Sequence, residues 1–182
     1  MSEIPSDAEE EEQGDGLGEQ SVGAPAGSGD ADMGEDDSLH TFEGHAGGVY
    51  AAAWSPAQPE LVATGGGDDC AYLWHVGQDA FEQTGGAVLE LAGHSDTVSC
   101  LAFSRDGALL ATGGMDGRVK VWVVATGACQ CTLEGPGEAI EWLEWHPKGS
   151  VILAGAADFT AWMWLVGTGA CMQASGTACN TL

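Results

Sequence analysis

The sequence predicts an all-β protein built from three repeated units of short antiparallel strands. An apolar run that ends in small residues and an aspartate occurs three times, at residues 61–68, 109–116 and 151–158. A tryptophan follows each aspartate six positions later, and the copies lie 48 and 42 residues apart. No stretch shows a sustained helical period, and 29 glycines among 182 residues favour many tight turns. Together these patterns indicate short strands that return on themselves at regular intervals.

The first 40 residues differ from the rest of the chain in composition. They hold 13 of the 28 Asp and Glu residues and no Lys or Arg, and the first cation of the chain is Arg105. Such a segment has too little apolar surface to offset the entropy lost on ordering. We therefore predict a disordered acidic tail at 1–40 and a folded part at 41–182. The tail either keeps the chain soluble or attracts a basic partner weakly.

The formal charge of −24 excludes several classes of partner. Binding to DNA or RNA phosphates requires basic patches, and so does binding to an anionic membrane surface. No apolar run approaches the roughly 18 residues of a membrane span. The N-terminus also lacks the basic start and apolar segment of a secretory signal. We expect no direct contact with nucleic acid and no membrane insertion.

The second unit shows how the strands follow one another. Its first strand is expected at 97–103, where Phe103 runs into a Ser-Arg-Asp-Gly turn. The apolar run forms the second strand, at 108–113, and Asp116-Gly117 make the next turn. A third strand at 118–124 carries the tryptophan, and a fourth follows at 128–134. The first and third units follow by the same offsets.

A period near 40–45 residues with Gly-His early and Trp late resembles the WD40 repeat. The Gly-His pairs are Gly44-His45 and Gly93-His94. The resemblance implies a β-propeller, with blades at about 44–92, 93–134 and 135–175. Only about three blades are present where propellers need about four to eight, so the expected ring is incomplete. A strand stub near 41–43 would pair with a last blade. We expect a fragment or a non-functional truncated product, or else a ring that closes by oligomerisation.

The same resemblance implies a structural role for a recurring set of polar side chains. In such blades a loop His, a strand Thr, a turn Asp and the Trp form one hydrogen-bonded set. The matching residues are His45, Thr64, Asp68 and Trp74 in the first unit and His94, Thr112, Asp116 and Trp122 in the second. The third unit keeps Asp158 and Trp164 but has Pro136 and Ala154 at the other two places. Since an unpartnered buried polar group is costly, such sets tend to be complete or dismantled together.

The sequence lacks the residues that a catalytic or metal-binding site would need. A hydrolase would need a nucleophile beside the histidine. Gly65-Gly66-Gly67 lacks the Lys-Ser/Thr that follows in a phosphate-binding loop. The six cysteines have no zinc-ligand spacing, and without a secretory signal they are expected to be reduced. We therefore expect no enzyme, no cofactor, no metal and no small-molecule substrate.

One turn departs from the pattern of the other two. The residue after the turn aspartate usually is Gly, Asn or Asp because φ is positive there. Asp69 and Gly117 fit this requirement, but the third unit has Phe159. Either this turn is longer, or Phe159 is strained or packs against another group.

Four segments carry a closer resemblance, to the angio-associated migratory cell protein family. They are residues 64–74, 92–100, 141–147 and 161–164. The resemblance implies a non-enzymatic, mainly cytosolic propeller, with the nucleus as a second location. Animal members are associated with cell migration and angiogenesis, and the yeast counterpart is a chaperone of a basic large-subunit ribosomal protein.

Candidate partner-binding residues lie where the first strands begin and just before the turn aspartates. They are Tyr50, Ser99, Met115, Glu141, Trp142 and Glu144. Aromatic and acidic side chains on one face would suit a basic protein segment. The leading hypothesis is an interaction scaffold, in particular a chaperone of a basic ribosomal protein or a migration-associated factor. The alternative is a general adaptor in a ubiquitin-ligase or signalling complex.

Overall fold

The computed structural model describes residues 41–76 and 88–174, which form three four-stranded sheets. The tail predicted at 1–40 lies outside the described residues. The first sheet comprises Val49–Trp54 (β1), Leu61–Gly66 (β2), Cys70–His75 (β3) and Leu89–Ala92 (β4). The second comprises Val98–Phe103 (β5), Leu109–Gly114 (β6), Val119–Val123 (β7) and Cys129–Leu133 (β8). The third comprises Ile140–Trp145 (β9), Val151–Ala156 (β10), Ala161–Leu165 (β11) and Ala170–Ala174 (β12).

Each sheet keeps its strands in chain order, and every neighbouring pair is antiparallel. Tight turns join the second strand of each sheet to the third, which explains why glycine and aspartate recur after the apolar runs. Over 41–76 and 88–174 the structure contains no helix, and so no helix long enough to cross a membrane. The expected strands of the second unit agree with β5–β8 to within one residue at each end.

The apolar core lies between adjacent sheets. One cluster joins the first sheet to the second and includes Leu73, Leu91, Leu110 and Trp122. A second cluster joins the second sheet to the third. The members of both clusters come from alternate positions on the strands, because successive side chains of a strand point to opposite faces. The sheets therefore stack as blades, and they do not close into a ring within the described residues. The prediction of an all-β, incomplete propeller is confirmed.

A β-bulge occurs at the same place in the first strand of every blade. The ladder between β1 and β2 skips Tyr50, and the corresponding ladders skip Ser99 and Glu141. Bulges re-aim a side chain and are common beside functional sites. Three of the candidate contact residues are thus the extra residues of equivalent bulges.

Residues 41–45 form no strand, but Phe42 has a defined place. Its ring stacks on the indole of Trp74, with centroids 4.9 Å apart and planes 5° apart. Leu91 and Leu133 hold the corresponding sequence positions ahead of the next two blades, and each belongs to the core cluster that contains the following tryptophan. Phe42 therefore covers the first blade as those leucines cover the second and third.

The turn that contains Phe159 has the same length as its two counterparts. The amide of Phe159 donates to the carbonyl of Ala156 at 3.1 Å, as Gly117 does to Gly114 at 3.2 Å. The φ angles of Asp69, Gly117 and Phe159 are 62°, 74° and 64°. Since Phe159 is also 100% exposed, it is a strained residue without packing.

Replacing Phe159 with asparagine is expected to raise the free energy of unfolding by up to about 1 kcal/mol. Asparagine tolerates the left-handed conformation better than a bulky residue does, and no burial is lost. Urea unfolding would measure the change, with Ala157→Asn as the matched control at an exposed neighbour outside the left-handed region. An equal gain in the control would contradict relief of backbone strain.

Candidate protein-interaction surface

Every blade has two edges, which differ in the loops they present. We call the upper edge the loops before β1, β5 and β9 together with the turns after β2, β6 and β10. The lower edge contains the turns between the first and second strands, at 55–60, 104–108 and 146–150. Because the strands alternate in direction, all loops of one kind lie at the same edge.

The predicted polar set of the second blade is complete. Nδ1 of His94 donates to Asp116, 3.0 Å from Oδ2, and Nε2 accepts from Oγ1 of Thr112 at 2.8 Å. Nε1 of Trp122 donates to the same hydroxyl at 2.9 Å. The amide of Ser95 reaches Asp116 Oδ2 at 3.0 Å. Every donor meets an acceptor, which assigns the proton of the neutral imidazole to Nδ1.

The charges of the second set follow from its burial. Burial lowers the pKa of His94, although the attraction of Asp116 opposes this. Burial alone would raise the pKa of Asp116, but the amide of Ser95 and the attraction of His94 outweigh it, so the pKa is lowered. The set therefore holds a neutral imidazole against a carboxylate.

The first blade repeats this arrangement with longer hydrogen bonds to the threonine hydroxyl. Nδ1 of His45 lies 3.0 Å from both carboxylate oxygens of Asp68, and Nε2 lies 2.9 Å from Oγ1 of Thr64. Nε1 of Trp74 donates to that hydroxyl at 3.3 Å. Burial alone would raise the pKa of Asp68, but hydrogen bonds from His45 and the amide of Ala46 outweigh this effect, so the pKa is lowered. In both blades the set ties an upper loop to the turn after the second strand.

The third blade has a different set, which includes a residue that the sequence analysis missed. Thr160 donates its hydroxyl to Asp158 and accepts Nε1–H of Trp162 at 2.6 Å. Nε1 of Trp164 donates instead to the backbone carbonyl of Glu134 at 3.3 Å. The signal for Thr160 was its place two residues after the turn aspartate, within reach of that carboxylate. Although the third blade lacks His and Thr at the usual places, Asp158 is bonded by Thr160 and Trp164 by the carbonyl of Glu134, so both keep a partner.

The cysteines add no binding site among the described residues. Over 41–76 and 88–174 no group of three or more His, Cys, Asp or Glu side chains could hold a metal ion. Cys70, Cys100, Cys129 and Cys131 are free thiols, and burial raises the pKa of Cys100 to about 11. Cys171 is disulfide-bonded, so the expectation of reduced thiols is wrong there. Chain spacing does not show which sulfur atoms the fold brings together.

The candidate contact residues differ in their surroundings. Tyr50 is 62% exposed and Trp142 is 43% exposed, and Met115 is also exposed. Glu141 and Glu144 are exposed as well. The hydroxyl of Ser99 donates to the carbonyls of Ile140 and Gly113, so it joins the second blade to the third. The other five side chains present surface that a partner could reach.

Acidic side chains dominate the upper edge. Asp69, Asp96, Glu138 and Glu141 form no ion pair with any residue that the structure describes. Arg118, a cation of that edge, is paired with Glu134, with Nε 3.0 Å from Oε1. The upper edge therefore presents uncompensated negative charge beside exposed aromatic rings.

Stacked four-stranded antiparallel blades, in two of which a polar set ties an upper loop to the turn after the second strand, define a propeller-type repeat protein. The family described as WD domain, G-beta repeat matches residues 36–75, 85–123 and 127–164, which is more than half of the chain. The chain belongs to the WD40 repeat family. Members of this family are generally non-enzymatic scaffolds for protein–protein interaction.

Known proteins resemble part of the chain. The Angio-associated migratory cell protein of Homo sapiens is 42% identical over 93 residues, which cover 51% of this chain and 20% of that relative. The Denticleless protein homolog of Xenopus tropicalis is 37% identical over 82 residues, 44% of this chain and 10% of the relative. Striatin-4 of Homo sapiens is 35% identical over 101 residues, which cover 52% of this chain and 13% of the relative. The alignments thus span a fifth or less of these relatives, and the predicted resemblance to the first is confirmed.

Proposed function

We propose that the upper edge of this WD40 protein binds a basic segment of a protein partner. The observation that carries the proposal is the group of unpaired acids beside exposed aromatic side chains on this edge. Glu141 and Tyr50 occupy equivalent bulges, and Trp142 directly follows Glu141. Aromatic rings attract Lys and Arg through their faces, while carboxylates attract them by charge.

The electrostatic balance of the edge supports a basic ligand. Asp68 and Asp116 are held by their histidines, so their carboxylates are occupied within the fold. Asp69, Asp96, Glu138 and Glu141 remain available to a ligand. Complementary charge increases the rate of encounter and selects partners more than it adds affinity. The edge therefore favours a Lys/Arg-rich segment over a neutral one.

The similarity to the Angio-associated migratory cell protein supports a more specific form of the proposal. The chain would act as a chaperone of a basic ribosomal protein during large-subunit assembly, or as a factor associated with cell migration and angiogenesis. Its location would be the cytoplasm, with the nucleus as a second location. An acidic propeller suits the chaperone role because it can cover a basic segment until assembly.

A general adaptor is the second candidate function. The chain is also similar to Denticleless protein homologs and to Striatin-4, at 35–37% identity. An adaptor in a ubiquitin-ligase or signalling complex would use exposed side chains without a requirement for a basic ligand. Selectivity for basic sequence separates the two candidates.

Replacing Glu141 with lysine is expected to weaken binding of a fluorescein-labelled Lys/Arg-rich peptide to the full chain by about three- to tenfold. The substitution removes one exposed attraction and adds a repulsion, each worth up to about 1 kcal/mol. Fluorescence anisotropy measures the affinity, and wild-type binding should weaken as NaCl rises.

Glu60→Lys is the matched control, because Glu60 is an exposed acid in the lower-edge turn at 55–60. The control changes the total charge equally but leaves the upper edge intact. An affinity that does not change with NaCl concentration, or that falls equally in both variants, would count against the proposal. Equal binding of a neutral peptide would favour the general adaptor.

A further inference from the structure

A groove at the lower edge separates the second blade from the third. It has a volume of about 560 Å³, which is within the usual range for small-ligand sites. Its walls are the turn of the second blade after Phe103 and the turn of the third blade after Trp145. The corresponding turns of the first two blades touch: a Cβ on Gly107 would lie 2.7 Å from that of Ala57. A Cβ on the matching Gly149 would have Nδ1 of His146, in the same turn, as its nearest neighbour at 3.8 Å, so no atom of the second blade lies close to it.

The groove concentrates positive charge in a very acidic chain. The chain has only four Lys and Arg residues. Arg118 is paired with Glu134, and Lys120 donates to the hydroxyl of Thr132 at 3.1 Å. The other two cations, Arg105 and Lys148, both line the groove. Neither forms an ion pair with any residue in the described part of the chain.

The hydrogen-bond donors of the groove are partly preorganised. Nη1 of Arg105 donates to the carbonyl of Pro147 at 3.1 Å, which holds the guanidinium across the groove. A guanidinium has five N–H groups, so others remain for a ligand. Nδ1 of His146 accepts the amide of Lys148 at 3.2 Å, which leaves the ring hydrogen on Nε2 of the neutral imidazole. Arg105, His146 and Lys148 therefore supply donors from both walls.

The floor of the groove is apolar. Leu109 and Trp145 line it and are half-buried. Nε1 of Trp145 donates to the carbonyl of Ala102 at 2.9 Å, so the indole is fixed in place. An apolar side chain laid on this floor would remove water from both residues.

We propose that this groove binds a short acidic peptide segment of a partner protein through its carboxylates and one apolar side chain. Arg105 and Lys148 pair with the carboxylates, and Leu109 and Trp145 receive the apolar side chain. The site lies at the opposite edge from the proposed basic-segment surface and has the opposite charge preference. The two surfaces would let one molecule hold two chemically different partners.

Two negative features oppose the ligand without cancelling the site. Asp106 also lines the groove, and the hydroxyl of Ser104 donates to its carboxylate at 2.6 Å, which lowers the pKa of Asp106. That leaves two cations against one carboxylate. The remaining net charge of the chain acts weakly beyond about 8 Å at physiological ionic strength. The local cations therefore decide which ligand enters.

The test uses the full chain and a fluorescein-labelled peptide of Asp and Glu with two Leu residues, with anisotropy as the measurement. Lys148→Gln should weaken binding by about two- to fivefold, the effect of one exposed charge pair. Asp106→Asn should strengthen it by a similar factor of about two to five, because a repulsion is lost while an amide oxygen still accepts from Ser104. A gain of affinity cannot arise from misfolding.

Arg118→Gln is the matched control, since it removes a cation from the upper edge. It should leave the affinity unchanged, and a peptide with Ala in place of Leu should bind more weakly than the parent. No binding by the wild type, no strengthening by Asp106→Asn, or an equal loss in Arg118→Gln would each overturn the proposal. These outcomes are independent of whether a basic peptide binds the upper edge.

Discussion

Replacing Trp164 with alanine is expected to lower the free energy of unfolding by about 3–5 kcal/mol, the usual cost of truncating a buried aromatic side chain. Trp164 is 1% exposed and lies in the cluster that joins the second blade to the third. Its loss opens a cavity and removes the hydrogen bond to the Glu134 carbonyl. Whole domains are stable by only about 5–15 kcal/mol, so this change should be visible as a large shift of the urea midpoint.

Trp142→Ala is the matched control for this change. Trp142 is on the first strand of the same blade but is 43% exposed, so less apolar surface returns to water when it is truncated. We expect less than half the loss seen for Trp164. Comparable losses at the two positions would contradict the larger stabilising contribution expected of the buried Trp164.

Replacing Thr112 with valine is expected to cost about 2–5 kcal/mol. The change keeps the shape of the side chain and removes only the hydroxyl, which is fully buried at 0% exposure. Nε2 of His94 then loses its donor, and Nε1–H of Trp122 loses its acceptor. Each buried polar group left without a partner costs about 1–3 kcal/mol.

Thr132→Val provides the control, because Thr132 is exposed on β8 of the same blade and its hydroxyl accepts from Lys120. Water can replace that contact, so the expected change lies within about 0.5 kcal/mol. A cost below about 1 kcal/mol for Thr112→Val would show that the polar set does not stabilise the blade.

The polar sets show how far sequence reasoning reaches. The resemblance to WD40 blades implied the eight members of the first two sets, and the structure joins them by hydrogen bonds. It also indicated that the third set lacks its His and Thr. It missed Thr160 as the replacement, because the first two blades use a threonine of β2 or β6 for this role. A local contact between residues two apart has no counterpart in the repeat pattern.

Other features depend on distances between segments far apart in the chain. The sequence allowed three explanations for Phe159: a longer turn, a strained backbone or packing against another group. The turn hydrogen bond excludes a longer turn and full exposure excludes packing, so the backbone of Phe159 is strained. Ser99 was a candidate contact residue, yet its hydroxyl joins two blades through the carbonyl of Ile140, 41 residues away. The groove beside Arg105 and Lys148 likewise depends on how two turns 42 residues apart are placed, with only the side chain of Arg105 reaching across to the carbonyl of Pro147.

The repeat, the strands and the acidic character could be predicted from the chain alone, because each depends on local periodicity and composition. Side-chain alternation and turn chemistry act over a few residues, so they can be recognised in the amino-acid sequence. Only the folded structure shows which acids stay unpaired, which cations line one groove and which polar groups meet across blades. Those properties depend on the packing of one blade against the next, which a linear pattern does not specify.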